Sequence, residues 1–382
     1  MRATLSPMTS GVAVGRARSD LDVISRAGLP LLRFMDEAAA AMAAVVPFIA
    51  GCFSTVDPAT AMISSTHKLG DIRGRNESDV QWAQIEYGGD DPTAFTRMLA
   101  TGRVAVGVAH ETSGDVARSV RMSDLLLPRF GYHDEARVLL SDRSGAWGSL
   151  SVFRGGDDPT FAADELAFLE TVAPALTRGI RAGLLTQLGS AAPLPDTGPA
   201  VIVVDAHDRI VQASPGAQSH LRRMTEVPHA ADPLLIVQAL VAGARRFARG
   251  EADRMPRVRA RTTDGVWIVL HAAPLGGAGD RAGDVVVTIE EARPQEVIDL
   301  VAAAFGLTAR ERDVVEVLLS GADTREIAAA LHVSPYTVQD HLKSIFDKAG
   351  VASRRELVAR VYFDQYATRI GTPLGSDGAP II

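Results

Sequence analysis

Between Pro335 and Lys348 the chain gathers side chains able to pair with nucleic acid. Tyr336, Thr337, Gln339, Asp340, Lys343 and Asp347 bring hydroxyl, amide, carboxylate and ammonium groups, which hydrogen-bond base edges and phosphate oxygens in a major groove. Among them Val338, Leu342 and Ile345 recur at steps of four and three residues. On a helix that spacing puts the apolar groups on one side and the pairing groups on the other. The chemistry of such a face is recognition, with no bond made or broken. Bond-making chemistry has no matching motif: the sequence contains no Gly-x-x-x-x-Gly-Lys-Ser/Thr loop, no Cys-x-x-Cys, no His-x-x-x-His and no Gly-x-Ser-x-Gly. The paired carboxylates Asp90-Asp91 and Asp157-Asp158 each precede a proline and read as turn formers. We expect neither enzymatic activity nor a cofactor.

Four helix starts surround the pairing face. Thr308-Ala309-Arg310-Glu311 has the spacing of a capping box, in which hydroxyl and carboxylate satisfy each other's backbone N–H. The helix it opens carries Val314, Val315, Leu318 and Leu319 and stops at Gly321. Asp323-Thr324-Arg325-Glu326 starts a short second helix with Ile327, Ala328 and Leu331 on its apolar side. Ser334-Pro335 starts the third, with serine at the cap and proline at the first helical position. Ser353-Arg354-Arg355-Glu356 opens a fourth, with Leu357, Val358 and Val361 for packing. A short helix, a tight turn at His332–Ser334 and a longer helix make the helix-turn-helix plan.

Leu307-Thr308-x-Arg310-Glu311-Arg312, Glu326-Ile327-Ala328, Val333-Ser334, Thr337-Val338, His341-Leu342, Lys348, Gly350-Val351 and Ser353-Arg354-x-Glu356-Leu357-Val358 resemble the LuxR-type DNA-binding domain over a sixth of the chain. The resemblance implies a module that binds double-stranded DNA as a homodimer, its third helix in the major groove. It implies that Gln339, Asp340 and Lys343 read bases, although the family usually has a basic residue where Gln339 stands. It further implies that Thr324, Arg325, Thr337, Lys348 and Arg354 meet phosphates, and that the helix of Leu357, Val358 and Val361 forms the dimer. RNA polymerase is a further possible partner under this reading. The rival is a scaffold whose C-terminal helical bundle docks on a protein.

Charge sets how tightly such a module binds. From Ala303 to Arg369 nine basic residues face nine acidic ones. A neutral module releases few counterions, so a monomer binds weakly and with a modest salt slope. Dimerisation on two half-sites raises affinity through effective concentration.

Two segments precede the reading head. Residues 21–188 show a helix at Leu29–Pro47, strand-like runs at Phe48–Val56 and Ala61–Ser65, a hairpin of Arg137–Ser141 with Trp147–Phe153, and a long helix at Ala163–Leu185. This order resembles a GAF domain. Residues 199–292 open with strands at Val201–Val204 and Ile210–Gln212 around an Asp205–Asp208 turn. Helices near Ala217 and at Leu234–Arg249 follow, then strands at Trp267–Ala272 and Val285–Ile289, split by Gly276–Gly283. That pattern resembles a PAS domain. The expected architecture is multidomain: two α+β sensor-like domains, then an all-α four-helix helix-turn-helix domain at 303–368. Ala191–Pro199 reads as a linker, Gln295–Ala304 as a helical connector, and the stretch after Ala367 as a tail.

The upstream segments are where a small-molecule or protein signal of unknown identity is expected. A phosphorylated receiver is disfavoured, because no lysine lies between Lys68 and Lys343. Trp82 and Tyr87 read as core aromatics, Cys52 as a buried thiol, and His207, His220, His229 and His271 as surface or satisfied core histidines. The 382 residues, 47% hydrophobic and 22% charged with a net charge of -7, are those of two or three globular domains. A lone cysteine excludes a disulfide framework. No apolar run reaches bilayer length, so the expected address is the cytoplasm, with no membrane partner.

Overall fold

Two helices precede the first strand, α1 (Gly11–Arg26) and α2 (Leu31–Ala43). The computed structural model describes residues 11–89, 91–186, 198–225, 234–263, 265–276 and 282–363. Asp90, His229, most of the Ala191–Pro199 linker, part of the Gly276–Gly283 run and the tail after Ala367 lie outside them. α2 is the expected opening helix, with Phe34, Met35, Ala38 and Met42 buried. α1 begins ten residues before Leu21, where the sequence reading opened the domain. Its buried stripe is only Ala17, Leu21 and Ser25, too little apolar surface for periodicity to reveal.

Strands β1 (Ala50–Val56) and β2 (Ile63–Gly70) follow, then helices α3 (Asp79–Gly88) and α4 (Phe95–Thr101), strand β3 (Ala105–Gly107), and short helices α5 (Val108–Glu111) and α6 (Leu127–Phe130). The long hairpin β4 (Tyr132–Asp142) and β5 (Gly145–Gly155) turns on Arg143–Ser144, as expected. Asp142 holds that turn by accepting from the Ser144 N–H at 2.7 Å and the Trp147 indole at 3.1 Å. Helix α7 (Ala163–Leu185) has the expected bounds. The strands form one antiparallel sheet in the order β2-β1-β5-β4-β3.

α1, α2 and α7 pack together beside this sheet. The fit of α7 on α2 depends on Gly179: a Cβ there would lie 2.0 Å from the Phe34 ring. In an open helix, Gly→Ala gains about 1 kcal/mol, but overpacking costs about 1–3 kcal/mol. Gly179→Ala is therefore expected to destabilise the domain by about 1–2 kcal/mol in urea denaturation.

A group of fully buried charges closes the opposite face of the sheet. Arg121 pairs with Glu135 at 2.8 Å and Asp91 at 3.3 Å, and Arg137 pairs with Glu86 at 2.8 Å. Burial opposes ionisation of Asp91, but Arg121 and the hydroxyls of Ser119 and Thr93 hold its carboxyl far below the usual carboxylate range. The Arg137 guanidinium lies 3.8 Å from the centre of the Phe95 ring, a cation–π contact.

The second sheet uses β6 (Ala200–Val204), β7 (Ile210–Ala213), helices α8 (Pro215–Thr225) and α9 (Leu234–Ala248), then β8 (Arg257–Arg261), β9 (Trp267–Pro274) and β10 (Val285–Glu291). Its order, β7-β6-β10-β9-β8, repeats that of the first sheet. The two α+β folds are as expected from the sequence. β8 was not foreseen, because Arg257-Val258-Arg259-Ala260-Arg261 reads as polar. Those arginines are engaged elsewhere: Arg259 pairs with buried Asp57 at 2.5 Å, and Arg261 donates to the carbonyls of Leu184 and Thr186. With α3 packed on α9, these bonds join both sheets into one compact unit.

A second compact unit takes up the chain from Glu291. Helix α10 (Pro294–Ala304) is the expected connector, followed by α11 (Ala309–Leu319), α12 (Thr324–Ala330), α13 (Pro335–Ala349) and α14 (Arg354–Val358), which runs into a wider turn at Ala359–Phe363. No helix among the described residues is long and apolar enough to cross a membrane.

Candidate nucleic-acid interface

Each helix start read from the sequence is a formed cap. The Thr308 hydroxyl accepts from the Glu311 N–H at 3.3 Å while Glu311 accepts from the Thr308 N–H at 2.7 Å. Asp323 accepts from the N–H groups of Arg325 and Glu326, and Glu326 accepts from that of Asp323 at 2.6 Å. Ser334 accepts from the Thr337 N–H at 3.0 Å, and Ser353 from that of Glu356 at 3.2 Å. Between α12 and α13 the chain reverses through His332 at φ 53°, a left-handed conformation that few side chains adopt.

Glu311 does more than cap. Its carboxylate also accepts two hydrogen bonds from Lys348, at 2.6 and 2.7 Å, and one from the Ser344 hydroxyl at 2.7 Å. The start of α11 is thus clamped to the last turns of α13, which fixes how α13 presents its outer face. Burial opposes ionisation of the Glu311 carboxyl, but Lys348, the Thr308 N–H and Ser344 hold it at about 2, below its ordinary value of 4.5. Because the folded value is the lower one, this contribution is complete above about pH 4.5 and fades as pH falls towards 2. Glu311→Gln is expected to cost about 1.5–3 kcal/mol at neutral pH. Chemical denaturation at pH 7 and pH 3 checks this: the gap between variant and parent should narrow at the lower pH.

On α13, Val338, Leu342 and Ile345 are buried, while Gln339, Asp340 and Lys343 lie exposed together on the opposite side. None of these three has an intramolecular partner among the described residues. Tyr336 extends the same stripe one turn earlier and is 73% exposed. The phosphate candidates divide. Arg325 is exposed at the start of α12, with its backbone in the Asp323 cap and no side-chain hydrogen bond among the described residues. The Thr337 hydroxyl lies 2.8 Å from that of Ser334. The Lys348 ammonium is held by Glu311, and Arg354 donates to the Ala322 carbonyl at 2.8 Å and the Thr324 hydroxyl at 3.4 Å.

The three residues expected on a dimer-forming helix differ in exposure. Leu357 and Val361 are 0% and 1% exposed, so they fill the core of their own unit. Only Val358 is partly exposed. Helix α14 packs on α13, and α10 packs against the Ala359–Phe363 turn, with Phe305 under the Arg360 guanidinium.

Upstream, the Tyr87 hydroxyl accepts from the Ile63 N–H at 2.9 Å, Trp82 lines a cavity, and burial pushes the Cys52 thiol up to about 12. His220 is buried, and His207 and His271 lie towards the surface. No cluster of three metal-ligating side chains occurs among the described residues.

Comparison with known proteins bears on this C-terminal unit. Residues 306–361 match the family described as bacterial regulatory proteins, luxR family. The transcriptional regulatory protein UhpA of Escherichia coli is 32% identical over 130 residues, 34% of this chain and 56% of UhpA. The chain thus spans about half the length of that regulator. A putative HTH-type transcriptional regulator of Aeromonas salmonicida is 51% identical over 51 residues, 13% of this chain and 26% of that protein. Among solved structures, the GAF domain from Acinetobacter phosphoenolpyruvate-protein phosphotransferase aligns with 45% of this chain and 93% of its own, at 13% identity and a TM-score of 0.28.

Proposed function

Residues 306–361 form a luxR-family domain, and from this we propose that the chain regulates transcription by binding double-stranded DNA as a homodimer, under the control of a signal received by its two sheet domains. The observation that carries the reading is the outer face of α13. Gln339, Asp340 and Lys343 are exposed and unpartnered there, on a helix fixed by its serine cap and by the Glu311 clamp. Rigid presentation of such groups is what base recognition requires. Arg325 and the start of α13 supply phosphate contacts that set register. Dimerisation compensates for the neutral charge of the module. The signal reaches the reading head through α10, which follows β10 after two residues. The chain acts in the cytoplasm, where its DNA lies, with RNA polymerase as a further partner.

The test is selection of genomic DNA fragments by the purified full-length protein, with sedimentation to give its oligomeric state. A short two-fold-symmetric motif bound by a dimer supports the reading. A folded dimer that enriches no sequence, with or without cell extract, sinks it and favours a protein-docking bundle.

A further inference from the structure

Helix α1 packs one side on α2 and α7 and leaves the other bare. Its buried stripe is Ala17, Leu21 and Ser25. At about 3.6 residues per turn, the line on the opposite side runs through Val12, Arg16, Ser19 and Val23. All four are exposed. Val12 and Val23, at 78% and 64%, are the most exposed large aliphatic side chains among the described residues. Apolar residues scattered singly over a surface are ordinary. These two instead share one line, about three turns apart on a single helix.

Two further features of that side find no use within one chain. Arg16 and Asp20 are both exposed and stand on the same flank of the line, and neither has an ion pair or a side-chain hydrogen bond among the described residues. Asp22, by contrast, is held by Arg26 and Arg178 at 3.1 and 2.7 Å. Gly15 lies inside the helix, where glycine is weaker than alanine. A Cβ at Gly15 would nevertheless meet nothing within 4 Å, so its own chain does not require a glycine there.

We propose that this side of α1 pairs with α1 of a second copy of the chain, antiparallel, about a two-fold axis between Ala17 and Arg18. In such a contact residue i meets j and j meets i. The register sets Val12 of one copy against Val23 of the other, twice, and Arg16 against Asp20, also twice. A two-fold axis at right angles to both helices maps the flank of Arg16 and Asp20 onto itself, so opposite charges face each other. Parallel pairing would set each charge beside its like. Gly15 and Ser19 are the small residues beside the crossing, where the two helices approach most closely. The inference rests on the homodimer reading and gives it a contact in the first compact unit. One helix pair is a small interface, and binding to two DNA half-sites reinforces it.

The test is sedimentation equilibrium of the full-length protein, for which a dimer in the micromolar range is expected. Arg16→Asp and Asp20→Arg each put like charges at both symmetric contacts, and each should weaken the dimer about tenfold. Mixed one to one, the two variants restore opposite signs at every contact, so the mixture should dimerise as the parent does. That rescue is a readout which a folding defect cannot produce. Val23→Lys, whose charge suits the end of a helix, should keep the parent's melting temperature and leave the protein monomeric. A parent that stays monomeric up to about 0.1 mM, single variants that dimerise as tightly as the parent, or a mixture no tighter than its components would each overturn the proposal. Genomic DNA selection by the same preparations is read separately. A two-fold motif bound by a dimer indifferent to the α1 variants would keep the regulator reading and remove this one.

Discussion

Arg121→Met is expected to remove about 3–5 kcal/mol from the stability of the first compact unit, the cost of leaving buried charges without their partner. Arg121 is fully buried and pairs with Glu135 and Asp91. Without it Asp91 loses its guanidinium and Glu135 keeps only the longer contact to Arg137, at 3.5 Å, whose closer partner is Glu86. Methionine matches the volume, so packing changes little and electrostatics dominates. Against a total of about 5–15 kcal/mol for a typical domain, a loss of this size brings the variant near the unfolding threshold. Urea denaturation followed by tryptophan fluorescence measures it. Arg121→Met combined with Glu135→Met should recover part of the loss, because that pair is then replaced as a unit. Equal instability of the single and double variants would show that the charges matter through shape instead.

The second large effect concerns binding. Lys343→Ala with Gln339→Ala should lower operator affinity by about ten- to a hundredfold or more, since each base-reading side chain is worth about 1–3 kcal/mol. Both side chains are exposed and free, so the melting temperature should not move. Lys348→Ala is the informative contrast. Its ammonium is held by Glu311, and its loss should lower affinity and thermal stability together. Fluorescence anisotropy on a selected operator, paired with thermal unfolding, separates the two classes. If Lys343 and Gln339 variants bind as the parent does, the outer face of α13 does not read bases.

Legibility in the sequence followed the range of the interactions. The caps at Thr308, Asp323, Ser334 and Ser353 are local, formed by groups two or three residues apart, and each was readable. The β4–β5 hairpin and α7 were readable for the same reason, since alternation and helical periodicity are properties of short windows. Long-range partners decided what was not. β8 looks too polar for a strand until Asp57, some two hundred residues earlier, neutralises Arg259. Nothing near Lys348 in sequence announces that Glu311, 37 residues away, holds its ammonium. Leu357 and Val361, read from the pattern as packing residues, are buried in their own unit, but which elements cover them is set by partners the local pattern does not name. At the candidate site, therefore, the exposed polar side of α13 was legible, while the clamp that immobilises it was not.

The strand order common to both sheets has an evolutionary consequence. In each, the first and last strands are antiparallel neighbours at the centre, so that Ala50 pairs with Phe153 and Ala200 with Ile289. Each sheet therefore begins and ends at nearly the same point in space. A domain with adjacent ends can be inserted into a chain, duplicated or exchanged without stretching its neighbours. Lineages could swap a sheet domain of such a protein and leave the C-terminal helical unit untouched, provided the new module kept its two ends together.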